Sequence, residues 1–190
     1  MLNEAKKKYI PKKPIGKEMT IQQSNKTAKE LTKDKKRLNN KDFEPGNTLF
    51  LGYNAKHKEF TYDKTPLVLI LRRGKRHTLG LNFHWLPFNM RQQLVFIIMN
   101  MNKDNIKNNK PLEFSYQDLK PYLKKFGYAP CIRMYINTRY SKSGVVIPTT
   151  KLPAVSKMRT ETFSQGKHTS QEIFKRVTKD ANKAKRKKKR

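Results

Sequence analysis

The run Pro66-Leu67-Val68-Leu69-Ile70-Leu71, then Arg72-Arg73-Gly74-Lys75-Arg76, then His77-Thr78-Leu79-Gly80-Leu81-Asn82-Phe83, decides how this chain folds. The first part is continuously apolar and opens on a proline. That suits a central strand buried on both faces and entered at the one residue that lacks a backbone donor. Four cations in five residues around Gly74 predict a tight basic turn. The third part alternates, with Leu79, Leu81 and Phe83 on one face and Gly80 placed where another backbone approaches closely. Together they predict an antiparallel hairpin.

Upstream, Thr48-Leu49-Phe50-Leu51-Gly52-Tyr53 predicts a strand, 54–58 a turn, and Glu59-Phe60-Thr61-Tyr62 a half-buried strand. These runs suit a compact antiparallel barrel or curled sheet. Downstream, Pro87 stands where a helix can begin, and Met90, Leu94, Ile97, Ile98 and Met101 recur at helical spacing over about 87–101. That apolar face is broad enough to plug one end of a small sheet. Ser115-x-x-Asp118 predicts a second helix over about 115–126, short or kinked because Pro121 falls inside it. Residues 132–140 satisfy both the helical and the strand period, and Val145-Val146-Ile147-Pro148 predicts a short closing strand.

Charge divides the chain. Lys+Arg number 44 against 14 Asp+Glu in 190 residues, a formal charge of +30. Residues 1–45 hold 13 Lys+Arg against 6 Asp+Glu with no sustained apolar period, which predicts a disordered or partner-ordered basic arm. Residues 46–158 hold nearly all the aromatic and β-branched runs and form the single core. Residues 159–190 form a basic tail, helical in part. So large an excess of cations is unusual for a soluble enzyme and points to a polyanion, with nucleic acid first. Acidic membrane surfaces compete, but no apolar run approaches the roughly 18 residues of a spanning helix, and residues 1–13 lack the apolar centre of a signal peptide. A single cysteine, Cys131, forms no intramolecular disulfide, and with four histidines it builds no cysteine-based zinc framework. No cofactor and no metal are expected.

Several groups invite a functional reading. Arg72, Arg73, Lys75 and Arg76 project together from the hairpin tip, where mixed Arg and Lys would grip phosphates rather than read bases. In the tail, Thr169-x-x-Glu172 caps an amphipathic helix with Ile173, Phe174 and Val177 on one face and Lys175, Arg176 and Lys179 on the other. This helix is expected to order on DNA or on an apolar groove of another protein. The terminal run Lys183, Lys185, Arg186, Lys187, Lys188, Lys189 and Arg190 suits phosphate contact. His84-Trp85 is read as structural, His84 satisfying backbone groups and Trp85 closing the barrel, and Asn82 as a turn or capping amide. A metal-dependent nuclease needs clustered carboxylates, for which Glu59 and Asp63 are the best candidates.

The motifs Leu51-Gly52-Tyr53-Asn54-x-Lys56-His57, Tyr62-Asp63-x-x-Pro66-Leu67-Val68 and Leu79-Gly80-Leu81-Asn82-Phe83-His84-Trp85-Leu86-Pro87 with Arg91 carry a resemblance. So does Pro130-Cys131-x-Arg133-x-Tyr135 with Arg139, Ser141 and Ile147-Pro148. Over roughly residues 48–150 the chain resembles a family of small basic proteins of T-even-like tailed bacteriophages, described as DNA end protectors or SH3-like-barrel proteins. The resemblance implies an α+β fold: a small antiparallel SH3-like β-barrel with inserted helices, flanked by disordered basic arms. It implies a non-enzymatic, double-stranded-DNA-binding protein, present in the host cytoplasm during assembly and then in the virion, that protects or organises genome ends. Head or neck proteins are further expected partners. Arg91, Arg133 and Arg139 are the cations that its motifs add to the expected DNA contacts. The competing expectations are an assembly protein whose basic arms bind other virion proteins, and a nuclease or nuclease inhibitor.

Overall fold

The computed structural model describes residues 16–57, 61–108, 112–113, 116–159, 163, 166 and 168–187. The chain is α+β, with one six-stranded antiparallel sheet and helices. Its strands are β1 (Lys36–Arg37), β2 (Thr48–Tyr53), β3 (Leu67–Arg73), β4 (His77–Asn82), β5 (Ile132–Ile136) and β6 (Tyr140–Ile147), in the order β1-β6-β2-β3-β4-β5. The expected hairpin is present, with Leu69 opposite Leu81 and Arg73 opposite Thr78. Residues 132–140 resolve as β5, a single 3-10 turn (Asn137–Arg139) and the start of β6. Of the strand expected at 59–62, Glu59 and Phe60 lie outside the described residues. Thr61 and Tyr62 are not in a strand, and Asp63 makes an isolated bridge to Phe163.

Both faces of β3 are covered. Leu67, Leu69 and Leu71 belong to the large cluster packed beneath the helices, whereas Val68 and Ile70 join Leu49, Leu51 and Tyr135 in a smaller cluster on the other face. α2 (Phe88–Met101) supplies Leu94, Val95, Ile97 and Ile98 to the large cluster, and α4 (Tyr116–Lys125) supplies Leu119 and Leu123. Between them lies the short α3 (Lys103–Lys107), and α5 (Leu152–Val155) follows β6. Ser115, the expected cap of α4, lies outside the described residues. Gly80 is required by its neighbours: a Cβ there would collide with Val68 Cγ1 and lie 3.3 Å from the Tyr135 ring. Side chains on β3 and β5, not another backbone, make this the close approach.

The sheet curls but is not closed into a barrel. The outer edge of β6 is already taken by β1, with Lys36 opposite Gly144 and Arg37 opposite Ser143, so β5 has no strand edge to join. Tyrosines bridge the gap instead. The Tyr53 hydroxyl accepts the Ile136 N–H at 3.3 Å, and the Tyr53 ring lies 5.0 Å from that of Tyr135 and 5.4 Å from that of Tyr140.

The described part of the N-terminal arm is ordered, contrary to the expectation. Thr20 and Gln23 form a capping box for α1 (Ile21–Thr32), Leu31 is buried, and the buried Ser24 hydroxyl accepts the Arg159 N–H at 2.8 Å. The tail is likewise part of the fold. The Thr169 and Glu172 capping box starts α6 (Ser170–Lys187), and Ile173 is buried in the large cluster with Phe174 and Val177 packed against it. The apolar stripe that suggested an external partner therefore seats on the chain's own core. Among the described residues no helix is long and apolar enough to cross a membrane. Ile173→Ala should lower stability by about 2–4 kcal/mol, through lost burial plus a residual cavity. The urea midpoint measures this, and a midpoint unchanged from the parent chain would mean that α6 does not dock.

Candidate nucleic-acid interface

The β3–β4 turn is held by one residue far away in sequence. Within the turn the Gly74 N–H donates to the His77 carbonyl at 2.8 Å. Across from it, the Asn137 side-chain amide donates to the carbonyls of Gly74 at 2.9 Å and Lys75 at 3.2 Å. The Asn137 backbone N–H donates to the Arg76 carbonyl at 3.0 Å, and its Oδ1 accepts the Thr78 hydroxyl at 2.8 Å. Arg72, Lys75 and Arg76 are exposed on this braced turn. Arg139 is exposed on the same 3-10 turn as Asn137.

Arg73 behaves differently from its three neighbours. It is half-buried and donates to both the carbonyl and the side-chain oxygen of Asn40, each at 2.6 Å, while lying 5.2 Å from the centre of the Phe43 ring. It fastens the 3-10 turn Asn40–Phe43, whose Phe43 ring packs 5.1 Å from that of Tyr140. The Leu38 N–H also donates to the Lys142 carbonyl at 3.0 Å. Arg37, Lys41 and Lys142, none of which the sequence singled out, thereby join the turn in a rim of exposed cations around one end of the curled sheet. Asp42 contributes no free negative charge there, since it accepts from Lys36 Nζ and the Asn39 N–H, each at 2.7 Å. Burial works to raise the Asp42 carboxyl, but these two bonds outweigh it and hold the group below the ordinary aspartate range.

The remaining predicted cations are scattered. Arg91 is fully buried on α2, donating to the Met158 carbonyl at 2.8 Å and lying 3.5 Å from Glu18. This takes it away from the surface where a phosphate could reach it, because its helix face is the one that meets the segments on either side of the core. Arg133 is exposed on β5 with its guanidinium 4.3 Å from the centre of the Trp85 ring. For Lys183, Lys185, Arg186 and Lys187 the backbone continues α6 while the side chains lie outside the described residues, as do Lys188, Lys189 and Arg190 altogether.

The other chemical candidates are structural in their geometry. Asp63 is buried and accepts from Thr65 N–H at 3.1 Å, and lies 2.7 Å from His84 Nδ1 and 3.5 Å from the Asn82 amide nitrogen. Asn82 also caps the 3-10 turn Phe83–Trp85 by accepting the His84 N–H at 2.9 Å. Glu59, the proposed second carboxylate, lies outside the described residues. Among the described residues no three of His, Cys, Asp and Glu gather into a metal-holding group. Burial pushes the Cys131 thiol up, and its Sγ lies 3.4 Å from the Trp85 carbonyl, an environment that disfavours the nucleophilic thiolate.

No family model, no curated protein and no solved structure matches the chain.

Asn137→Ala should remove the brace, lowering stability by about 1–2 kcal/mol and speeding amide exchange in the β3–β4 turn. Unchanged exchange at the turn would show that Asn137 does not hold it. The Asp42 fastening should be sensitive to acid. Because the folded carboxyl titrates below the ordinary value of about 3.9, its contribution is complete above that pH and is lost as pH falls through the folded value. Stability measured between about pH 4 and pH 2 should therefore fall more steeply in the parent chain than in Asp42→Asn.

Proposed function

We propose that this protein binds double-stranded DNA through its phosphates, without catalysis, and serves in a tailed-phage particle to protect or organise genome ends. The observation that carries the DNA reading is the Asn137-braced turn, which holds Arg72, Lys75 and Arg76 exposed beside Arg139. Cations fixed in a rigid loop contact phosphates with little ordering cost, and Lys and Arg that reach only the backbone impose no sequence preference. The net charge of +30 supplies the long-range attraction. The phage assignment and the role at ends rest on the sequence resemblance over roughly 48–150.

The strand order supports the SH3-like part of that resemblance. β2 to β5 form a meander, and β6 returns through one 3-10 turn to pair with β2, Leu49 lying opposite Val146. An SH3-like fold would have this order of connections, and the Tyr53, Tyr135 and Tyr140 rings would then lie at its seam. The assembly-protein alternative drew on the stripe Ile173, Phe174 and Val177, which packs internally. The observations thus favour DNA over a protein groove as the first partner.

Binding of a short labelled duplex should weaken steeply with salt, with log affinity against log salt falling at about −5 or steeper for six or more phosphates neutralised. The double variant Lys75→Ala, Arg76→Ala should weaken binding at all sequences and make that slope shallower by about 2. A nearly flat salt response in the parent chain would overturn the DNA reading.

A further inference from the structure

We propose that an open bowl beside the braced turn is a site for a phosphate ester, held by the side chains of Asn54, Thr138 and Arg139. Its use by duplex DNA rests on the DNA reading above, whereas its chemistry stands on other residues. The bowl lies between the end of β2 and the 3-10 turn Asn137–Arg139, and its volume is about 530 Å³. That falls within the roughly 300–1,000 Å³ of small-molecule sites and leaves room for a phosphate with its attached sugar.

A slip in the sheet makes the bowl. Leu51 lies opposite Gly144 and Tyr53 opposite Tyr140, so Ser141, Lys142 and Ser143 stand against Gly52 alone. Such a bulge bends its strand and re-aims side chains out of the ladder. The Ser141 hydroxyl repairs the gap: it accepts the Gly52 N–H at 3.1 Å and donates to the Ser143 carbonyl at 2.5 Å. It therefore keeps no proton for a ligand. The two walls are tied together where the Asn54 N–H donates to the Arg139 carbonyl at 3.0 Å. Asn54 and Arg139 are thus neighbours before anything binds, and a ligand does not have to order the two segments.

The groups left over on the lining are donors. Asn54, Thr138 and Arg139 are exposed, and among the described residues their side chains make no hydrogen bond or ion pair. No carboxylate lines the bowl, and Arg139 is the one charged residue in its wall. Such a set selects an anion. The guanidinium presents a planar fork to two oxygens, while the Thr138 hydroxyl and the Asn54 amide add donors from either wall. With the fork filled, a tetrahedral phosphate still turns an oxygen out of the guanidinium plane toward that hydroxyl and amide. A carboxylate is flat and has no third oxygen to offer them.

One 3-10 turn serves both the bowl and the cationic hairpin. Asn137 braces the hairpin, and Arg139 on the same turn lines the bowl, with Lys142 exposed on the bulge. A duplex held on the hairpin therefore has a second contact of a different kind beside it. The hairpin cations act through charge and displace counterions, whereas Asn54 and Thr138 are uncharged and displace none. That difference gives the bowl its own signature in the salt dependence.

The full-length chain is titrated at constant ionic strength with a short duplex, with thymidine 5′-monophosphate and with acetate, and followed by proton–nitrogen NMR. The monophosphate should shift the Asn54 side-chain amide and the Arg139 Nε–H saturably, and acetate at matched concentration should leave them in place. A duplex that displaces the monophosphate from these resonances assigns the bowl to the DNA backbone. One that binds without displacing it assigns the bowl to a free phosphate ester, and either result supports the proposal. Asn54→Ala with Thr138→Val should weaken the monophosphate about tenfold and keep the urea midpoint, since both side chains are exposed. In the backbone case the same pair should weaken the duplex by a similar factor with an unchanged salt slope, while Arg139→Gln makes the slope shallower by about 1. Equal shifts with acetate and the monophosphate, or none with either the monophosphate or the duplex, overturn the proposal, and gel retardation of the duplex then leaves the DNA reading standing. A duplex that fails to bind overturns the DNA reading, and a saturable shift with the monophosphate still supports the bowl.

Discussion

β3 has to be dry on both sides, and the rest of the molecule follows from that requirement. Its five residues from Leu67 to Leu71 are all buried, which an edge strand or a sheet with one wet face could not achieve. It needs a strand on each flank, β2 and β4, and a packed layer on each face. Helices α2, α4 and α6 supply one layer. The other is not a second sheet, because among the described residues every strand belongs to the first. The sheet therefore curls so that its own side chains, Leu49, Leu51 and Tyr135 with the flanking Tyr53 and Tyr140, cover Val68 and Ile70. Curling leaves an open end, and β3 leaves the apolar layer there as Arg72 and Arg73. The position of the basic turn is thus fixed by where the buried run stops.

A net charge of +30 works against any compact state, and the few acids are used to offset this where the chain crosses itself. Asp42 ties down Lys36, Asp34 lies 3.5 Å from Lys151, and Glu18 stands between Arg91 at 3.5 Å and Arg159 at 3.7 Å. Each of these pairs joins the N-terminal segment either to itself or to elements more than 70 residues away in sequence. The exposed pair involving Lys151 contributes little by itself. The partly buried ones hold the segment against the core.

The elements that a single period or a local signal specifies were legible in the sequence. The boundaries of β2, the β3–β4 hairpin, α2 and the Thr169 capping box all follow from residues within one or two turns of each other. What was not legible depends on partners distant in sequence. α1 carries a capping box at Thr20 and Gln23, but its apolar side is sparse, and only docking of Leu31 and Ser24 against distant segments makes it stable. The open sheet could not be foreseen because the strand that takes the β6 edge, Lys36–Arg37, is two charged residues with no strand pattern. At the candidate interface the sequence identified the cationic turn but not its brace. Asn137 sits in an unremarkable Asn-Thr-Arg and acts on carbonyls about 60 residues upstream. It also placed Arg73 with its neighbours and Arg91 at the surface. Composition cannot tell a cation that faces solvent from one that bonds Asn40 or fills the core.

The role of Arg73 shows how the rim is assembled. Four cations in one tight turn repel one another, and ordering all four on a phosphate backbone would cost side-chain entropy at each. Arg73 is withdrawn from that task and its planar donors are given to Asn40, a geometry that a lysine ammonium would not reproduce. The exchange removes one cation from the turn but brings Lys41 and, through the Leu38 N–H bond to Lys142, Arg37 to the same end of the sheet. Positive charge is thereby carried by several segments of the chain rather than by the turn alone. The Asn137 bonds then fix the turn relative to this added arc. A rim built in this way depends on the N-terminal segment being folded onto the sheet, so the segment read from sequence as a free basic arm is a structural part of the surface that carries the charge.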